Sequence, residues 1–423
     1  MTPPRKSRLL PLAFVALGVV GAVWVFYAAP HMDDSQQQPP ADKTDEAVEV
    51  PESALAPDLD TNATWNTYHG DAALTGVAAS TLPESLQPLW RFLAGAAVFN
   101  TPVVSEGRVF FANEKGKVFA TDLHGQELWS RQLTAGTRAD GTVREAQVDA
   151  PLACFNGRLY VGDADGVLLA LDVATGEERW RQDVGAPILG TPNWLPRPPH
   201  EEGVIYVIAQ DNGELYCLDA VTGEKFWTSE GVSRCDGSPG AGSGVVVFGS
   251  CDAALHVFSA ATGTLERNIA IEGDSQVASG VAIVGDSAFS GCRSGKVLQV
   301  NVKTGETVWV SEVTDFEIFT TPAVTDRWVV LGAEDGLLYA LDRASGEQRW
   351  TFDTGGTPQS PVIAGDKVVV TADGKLFLLS LVQGRLLWSY EVSDFISAPA
   401  VAGSLVIVGS DDGSVAAFYG GPS

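Results

Sequence analysis

One pattern recurs along most of this chain and constrains its fold more than any other feature. An apolar strand is followed by a tight glycine turn, then a second apolar strand ending in Leu-Asp, then Thr-Gly-Glu and a tryptophan. Residues 168–180 read LLALDVATGEERW, residues 215–227 read LYCLDAVTGEKFW, and residues 338–350 read LYALDRASGEQRW. The first turn falls at Gly116, Gly166, Gly213, Ala253, Gly295, Gly336, Gly374 and Gly413, at spacings of 50, 47, 40, 42, 41, 38 and 39 residues. Eight units of about 40 residues with short strands are the signature of propeller blades. The eighth unit stops after SVAAFYGGPS, before any Thr-Gly turn or tryptophan, whereas residues 89–92 (LWRF) read like an outer strand with no inner three before it. Joining these two ends closes the ring and removes open sheet edges. The expected fold is all-β, an eight-bladed β-propeller of four-stranded blades closed by an N-terminal strand.

In one representative unit the strands are expected at 319–325 (A), 328–332 (B), 337–341 (C) and 349–352 (D). B and C are continuously apolar, as strands covered on both faces should be. The aromatic closing each unit stands at Trp90, Trp129, Trp180, Trp227, Trp309, Trp350 and Trp388, and only Arg267 breaks the series. Each indole is expected to lie on the glycine turn of an adjacent repeat and to donate its N–H to a carbonyl, a structural docking role.

Ahead of the repeats, Arg5, Lys6 and Arg8 precede an uncharged stretch at 9–29, whose 21 residues are long enough to span a bilayer. Its length and the bulky Phe26 and Tyr27 argue for an uncleaved anchor rather than a cleaved signal. The basic tail, 1–8, would then stay cytoplasmic and the rest be exported. No cysteine lies near this span, which argues against a lipid-modified amino terminus. Residues 30–60, acidic and proline-containing, are expected to be a disordered linker. Residues 61–85 form a pre-propeller segment and 86–423 the propeller. The expected location is the bacterial inner membrane, single-pass through 9–29, with the propeller in the periplasm or exterior. A net charge of −26 excludes nucleic acid as a main partner, because polyanions repel it.

The repeat Ala-Leu-Asp-x-x-Thr-Gly-x-x-x-Trp resembles the pyrroloquinoline-quinone-type propeller repeat over about residues 86–420, and the lead-in Trp65-Asn66-Thr67-Tyr68-His69-Gly70-Asp71 looks like the segment preceding many bacterial propellers of this kind. The resemblance implies one of two functions. Quinoprotein dehydrogenases act on alcohols or sugars, and the alcohol dehydrogenases among them hold the quinone with a pair of adjacent cysteines, a calcium ion and an aspartate base. Non-enzymatic propellers similar to the subunit of the outer-membrane β-barrel assembly machinery bind proteins. This chain has no Cys-Cys pair, no Cys-x-x-Cys-His, and five scattered histidines (His31, His69, His124, His200 and His256). Asp163 and Asp165 belong to a repeated hairpin turn without the distal glutamate of a calcium loop. The assembly subunit is a lipoprotein, from which the protein span at 9–29 departs.

Five cysteines, Cys154, Cys217, Cys235, Cys251 and Cys292, leave at least one unpaired. Cys235 and Cys251 flank residues 241–244 almost symmetrically and are expected to face each other across one hairpin, where an oxidising compartment permits a disulfide. Residues 134–149 extend a D-to-A loop and residues 193–203 an A-to-B loop on the opposite face. Loops on a rigid ring are where binding resides. The entrances to strand A, such as Asn100-Thr-Pro and Thr321-Pro, are small and neutral, a poor catalytic set. The reading is therefore a membrane-anchored, non-enzymatic protein-binding scaffold in envelope or outer-membrane protein assembly. No cofactor is expected, and the partner would sit on a propeller face or on the loops at 134–149 and 193–203. The alternative is a dehydrogenase dependent on pyrroloquinoline quinone and calcium.

Overall fold

In a computed structural model of the protein, residues 57–137, 141–197, 200–273 and 275–421 are described. The expected span at 9–29 and all of the linker up to residue 56 lie outside them. Among the described residues no helix is long and apolar enough to cross a membrane. Pro57 begins the compact unit, so the last residues assigned to the linker belong to the propeller, with Leu59 buried in the core.

Eight four-stranded antiparallel blades make up the ring. Blade 1 comprises Val103–Ser105, Arg108–Ala112, Lys117–Asp122 and Glu127–Gln132, strands A to D. The inner strands A of blades 2 to 8 are Ala153–Phe155, Asn193–Arg197, Gly240–Gly242, Ala282–Val284, Ala323–Val324, Val362–Ala364 and Ala400–Ala402. Strand A of blade 8 touches strand A of blade 1. Gln87–Leu93 pairs with Ser414–Tyr419, the third strand of blade 8, in the register Arg91 to Ala416 and Phe92 to Val415.

Strand A is mostly shorter than its expected span, with two residues at Ala323–Val324, because the preceding Thr-Pro has no proline N–H to give a ladder. Strands B and C are buried along their length, as in Leu405–Gly409 of blade 8. The Leu-Asp-x-x-Thr-Gly motif has a local cause. Asp172 Oδ1 accepts from the amides of Ala174 and Thr175, both at 3.0 Å, so the carboxylate builds the C-to-D turn itself. A bulge follows in the same place, between Ala170 and Leu171, and recurs at the equivalent point in blade 6 between Ala340 and Leu341.

Candidate binding surfaces

The inner edges of the eight strands A face the central channel with unpaired backbone groups, a liability in any propeller. Here the chain covers them itself. Trp65 and Val104 exchange two backbone hydrogen bonds in blade 1, at 2.8 and 2.9 Å, and Cys154 N of blade 2 donates to Asn66 O at 2.7 Å. Asn193 of blade 3 donates through its side chain to Ala72 O at 2.6 Å. Ala241, Ile283, Val324 and Ile363, from blades 4 to 7, donate their amides to Ala72 O, Ala73 O, Thr75 O and Gly76 O at 2.7 to 2.8 Å. Ser80 Oγ donates to Gly403 O of blade 8 at 2.5 Å. One short segment thus makes a full circuit of the ring, touching every blade, and Val77–Ala78 adds a fifth, parallel strand to blade 7.

Inside this belt Tyr68 and Ser360 join hydroxyl to hydroxyl, and Thr67 and Thr191 do the same at 3.0 Å. His69 is buried, with Nδ1 2.9 Å from Leu74 O and Nε2 2.9 Å from Pro361 O. Burial pushes its pKa below the ordinary imidazole value. Gly76, at φ +64°, is required here, since a Cβ would stand 2.2 Å from the His69 ring. The strand-A entrances are tied to one another as well: Thr191 N donates to Ser238 Oγ, Gly280 N to Thr321 Oγ1 and Thr321 N to Ser360 Oγ, at 2.8 to 3.0 Å. Most polar groups along this inner edge are thus bonded to one another, whereas Trp65 Nε1 and Asn66 Oδ1 are buried without a partner among the described residues.

Six of the seven tryptophans dock between blades. Trp90, Trp129, Trp180, Trp227, Trp309 and Trp350 donate to the carbonyls of Leu123, Val173, Ala220, Ala261, Arg343 and Leu381, at 2.7 to 3.2 Å. Trp388 differs. Blade 8 has no Thr-Gly turn to receive it, and it lies against Tyr390 and Phe418 instead. Arg267, the break in the series, takes the vacant role by donating Nε to Lys303 O at 3.0 Å with its stem over Gly305.

Cys235 and Cys251 lie on the face of the D-to-A loops and B-to-C turns. All five cysteines are free thiols. Because strand A of blade 4 begins only at Gly240, Cys235 sits in the D-to-A loop, its amide bonded to Gln210 O at 3.0 Å, and Cys251 in the B-to-C turn, its amide bonded to Arg234 O at 2.9 Å. The bond from Cys251 N to Arg234 O sets the two cysteines side by side, and the nearby Cys251 adds to burial in pushing the Cys235 thiol up. Burial pushes the thiols of Cys154, Cys217 and Cys292 up to about 12.

Both insertions are hairpins rather than irregular loops. Thr134–Thr137 pairs with Val143–Glu145, and Arg144 reaches Asp165 of the blade 2 turn at 3.0 Å. Asn193–Arg197 pairs with His200–Ala209. Trp194 of this second hairpin stacks on Phe155 at 5.5 Å and donates to Glu202 O, while the Arg197 guanidinium lies 4.4 Å from the Phe226 ring centre. Between blades 2 and 3 the hairpin walls a polar cleft of about 490 Å³ whose Arg158 and Arg179 are already paired, with Glu202 and Asp172. Asp163 and Asp165 form no metal cage: Asp163 Oδ1 accepts the amides of Asp165 and Val167. No group of three or more metal-ligating side chains occurs among the described residues.

A protein family described as outer membrane protein assembly factor BamB matches residues 82–151, 114–352, 264–395 and 334–420, the overlaps reflecting the repeats. The chain belongs to this family. The outer membrane protein assembly factor BamB of Shewanella oneidensis is 23% identical over 321 residues, covering 70% of this chain and 78% of that protein. The crystal structure of BamB from Moraxella catarrhalis has a TM-score of 0.65 at 19% identity, over 79% of this chain and 100% of that one. The quinohemoprotein alcohol dehydrogenase of Comamonas testosteroni has the same TM-score at 16% identity, over 85% of this chain and 81% of that one. The shared propeller thus does not separate the two branches. The adjacent-cysteine pair of the alcohol-dehydrogenase branch is missing from this sequence, and residues 63–80 run along the inner edges of the blades.

Proposed function

We propose that this protein is a non-enzymatic propeller scaffold for outer-membrane protein assembly, holding a protein partner in the periplasm while residues 9–29 tether it to the inner membrane. The observation that carries the reading is the belt. Residues 63–80 bond to every blade, and to the strand-A backbone in blades 1, 2 and 4 to 7, which leaves the outer faces and the two hairpins as the surfaces open to a partner. Membership of the BamB family supports the assembly role. The tether rests on the basic-then-apolar sequence of residues 5–29.

Affinity capture from crosslinked envelopes is the test. The expected result is reproducible recovery of an outer-membrane assembly component, with the protein sedimenting in the inner-membrane fraction; capture of no reproducible partner overturns the scaffold reading. Incubation with pyrroloquinoline quinone and calcium, followed by dye reduction with alcohols and sugars, is expected to show no saturable activity.

A further inference from the structure

The face carrying the D-to-A loops and B-to-C turns has an apolar arc that the belt does not cover. Phe99 and Phe319 stand at the same place in their blades, three residues before Pro102 and Pro322 at the strand-A entrances, and are 49% and 37% exposed. Phe316 is 55% exposed, and Phe395, half-buried, meets Phe99 edge to face at 5.7 Å. These aromatics belong to the entrances of blades 6, 8 and 1, on one side of the channel mouth. Exposed aromatics clustered at a mouth point to a partner rather than to the core.

The charge beside them is mainly acidic, with Arg293 and Lys115 as the cations in the same turns. Glu317, Glu334, Asp373, Asp394 and Asp411 lie in the loops and turns of this arc, and Glu334 is pushed above the ordinary carboxylate range by burial and by Glu317 and Asp373. The arc also holds a template for what relieves such repulsion. Arg293 lies 5.0 Å from the Phe319 ring centre with a nitrogen 3.7 Å from Glu317, a cation held between an aromatic face and a carboxylate. No ion pair of Glu334, Asp373, Asp394 or Asp411 occurs among the described residues.

We infer that this mouth docks a segment of a partner protein in which Lys or Arg alternates with apolar side chains, the apolar groups covering Phe99, Phe316 and Phe319 and the cations meeting Glu317, Glu334 and Asp373. The inference rests on the scaffold reading and narrows it to one surface. Such a complex associates faster and binds more tightly at low salt, because the charge is at the surface.

A fluorescein-labelled decapeptide alternating Lys with Phe and Leu, and its counterpart with Glu in place of Lys, test this by anisotropy on the full chain. The lysine peptide is expected to bind, with affinity falling as salt rises, and the glutamate peptide not to bind. Phe99→Ser/Phe319→Ser should weaken binding at least about tenfold, and Glu317→Gln/Glu334→Gln should weaken it and flatten its salt dependence. Val221→Ser/Val382→Ser, exposed positions on the opposite face, should leave it unchanged. Equal affinity in wild type and the phenylalanine variant, or equal loss in the opposite-face variant, overturns the proposal. The same variants in the envelope capture separate the two readings: capture that survives loss of both phenylalanines overturns the mouth but not the scaffold, whereas a wild type that captures nothing overturns the scaffold.

Discussion

An indole at the end of strand D covers a glycine and donates one hydrogen bond, and Trp180 does both: its ring lies against Gly223, where a Cβ would stand 2.6 Å away, and Nε1 reaches Ala220 O at 3.2 Å. Trp180 is the most buried of the set, 8% exposed. Trp180→Ala should cost about 3–5 kcal/mol, and Arg267→Ala, which loses a carbonyl bond and a stem contact nearer solvent, about 1 kcal/mol; urea unfolding of the two variants measures the gap. A second prediction concerns protons. His69 and His256 are both held below the ordinary imidazole pKa by burial. His256 Nε2 bonds Ser250 Oγ at 2.7 Å, while its buried Nδ1 has no partner among the described residues. As pH falls below about 6.5 the unfolded chain takes up protons that the folded chain resists. Stability is therefore fully present above that pH and is lost on acidification, by up to about 1.4 kcal/mol per pH unit for each histidine. Denaturant titrations at pH 7.5, 6.5 and 5.5 should show this slope reduced in His256→Phe. The five free thiols should all titrate under denaturation without reductant, and those of Cys154, Cys217 and Cys292 should resist alkylation in the folded protein, since burial suppresses the thiolate.

Among the elements, the belt is the part that most needs the rest of the molecule. Residues 63–80 make few bonds to any one blade, and turns within the segment, with Gly70 N on Thr67 O and Gly76 N on His69 O, share its ordering with the ring. Ala241, Ile283, Val324 and Ile363 donate their amides to it, and replacing residues 63–80 with a Gly/Ser linker should speed hydrogen exchange at those four amides while Val330 and Leu341, in strands B and C of blade 6, stay protected; exchange read by NMR or mass spectrometry checks this. The contrast explains what could be read in advance. Blades were legible because each repeats the same demands: a carboxylate capping the C-to-D turn, glycine beneath an indole, apolar residues on both faces of B and C. The belt was not, because its bonds run from backbone carbonyls to seven blades and from the Ser80 hydroxyl to the eighth, and impose little side-chain pattern beyond Gly76, Ser80 and the Trp65 lead-in. Arg267 was legible only as an exception, since its substitution for indole depends on reaching Lys303 O. Cys235 lies outside the ladder because strand A begins only at Gly240 and the loop before it is latched on Gln210. The aromatic mouth carried a weak signal: Phe99 and Phe319 share a position relative to proline, which a comparison of entrances by size and polarity passed over.

At the scale of the whole ring, closure decides how the molecule fails. In an open array of repeats each unit contacts only its neighbours and can unravel from an end; here blade 8 takes its outer strand from Gln87–Leu93, so the first residues of the propeller and the last are held in one sheet. The joint is reinforced by Trp90 donating to Leu123 O at 2.7 Å and by Phe92 meeting Phe111 and Phe119 at 5.3 and 5.4 Å. Proline at two positions of this strand, Trp90→Pro/Phe92→Pro, removes amides from the joint and should do more than lower stability. Proline pairs at Trp350 and Phe352, the equivalent positions in the outer strand of blade 6, damage a sheet whose four strands are consecutive in the chain, and should lower the urea midpoint while leaving a single transition. The closing-strand pair should instead broaden the transition, lower its m-value and expose the edge of Ser414–Tyr419, giving concentration-dependent oligomers by size-exclusion chromatography. If both pairs shifted the midpoint alike and both stayed monomeric, the strand at Gln87–Leu93 would be an ordinary blade strand and the ring would owe its cooperativity to the belt.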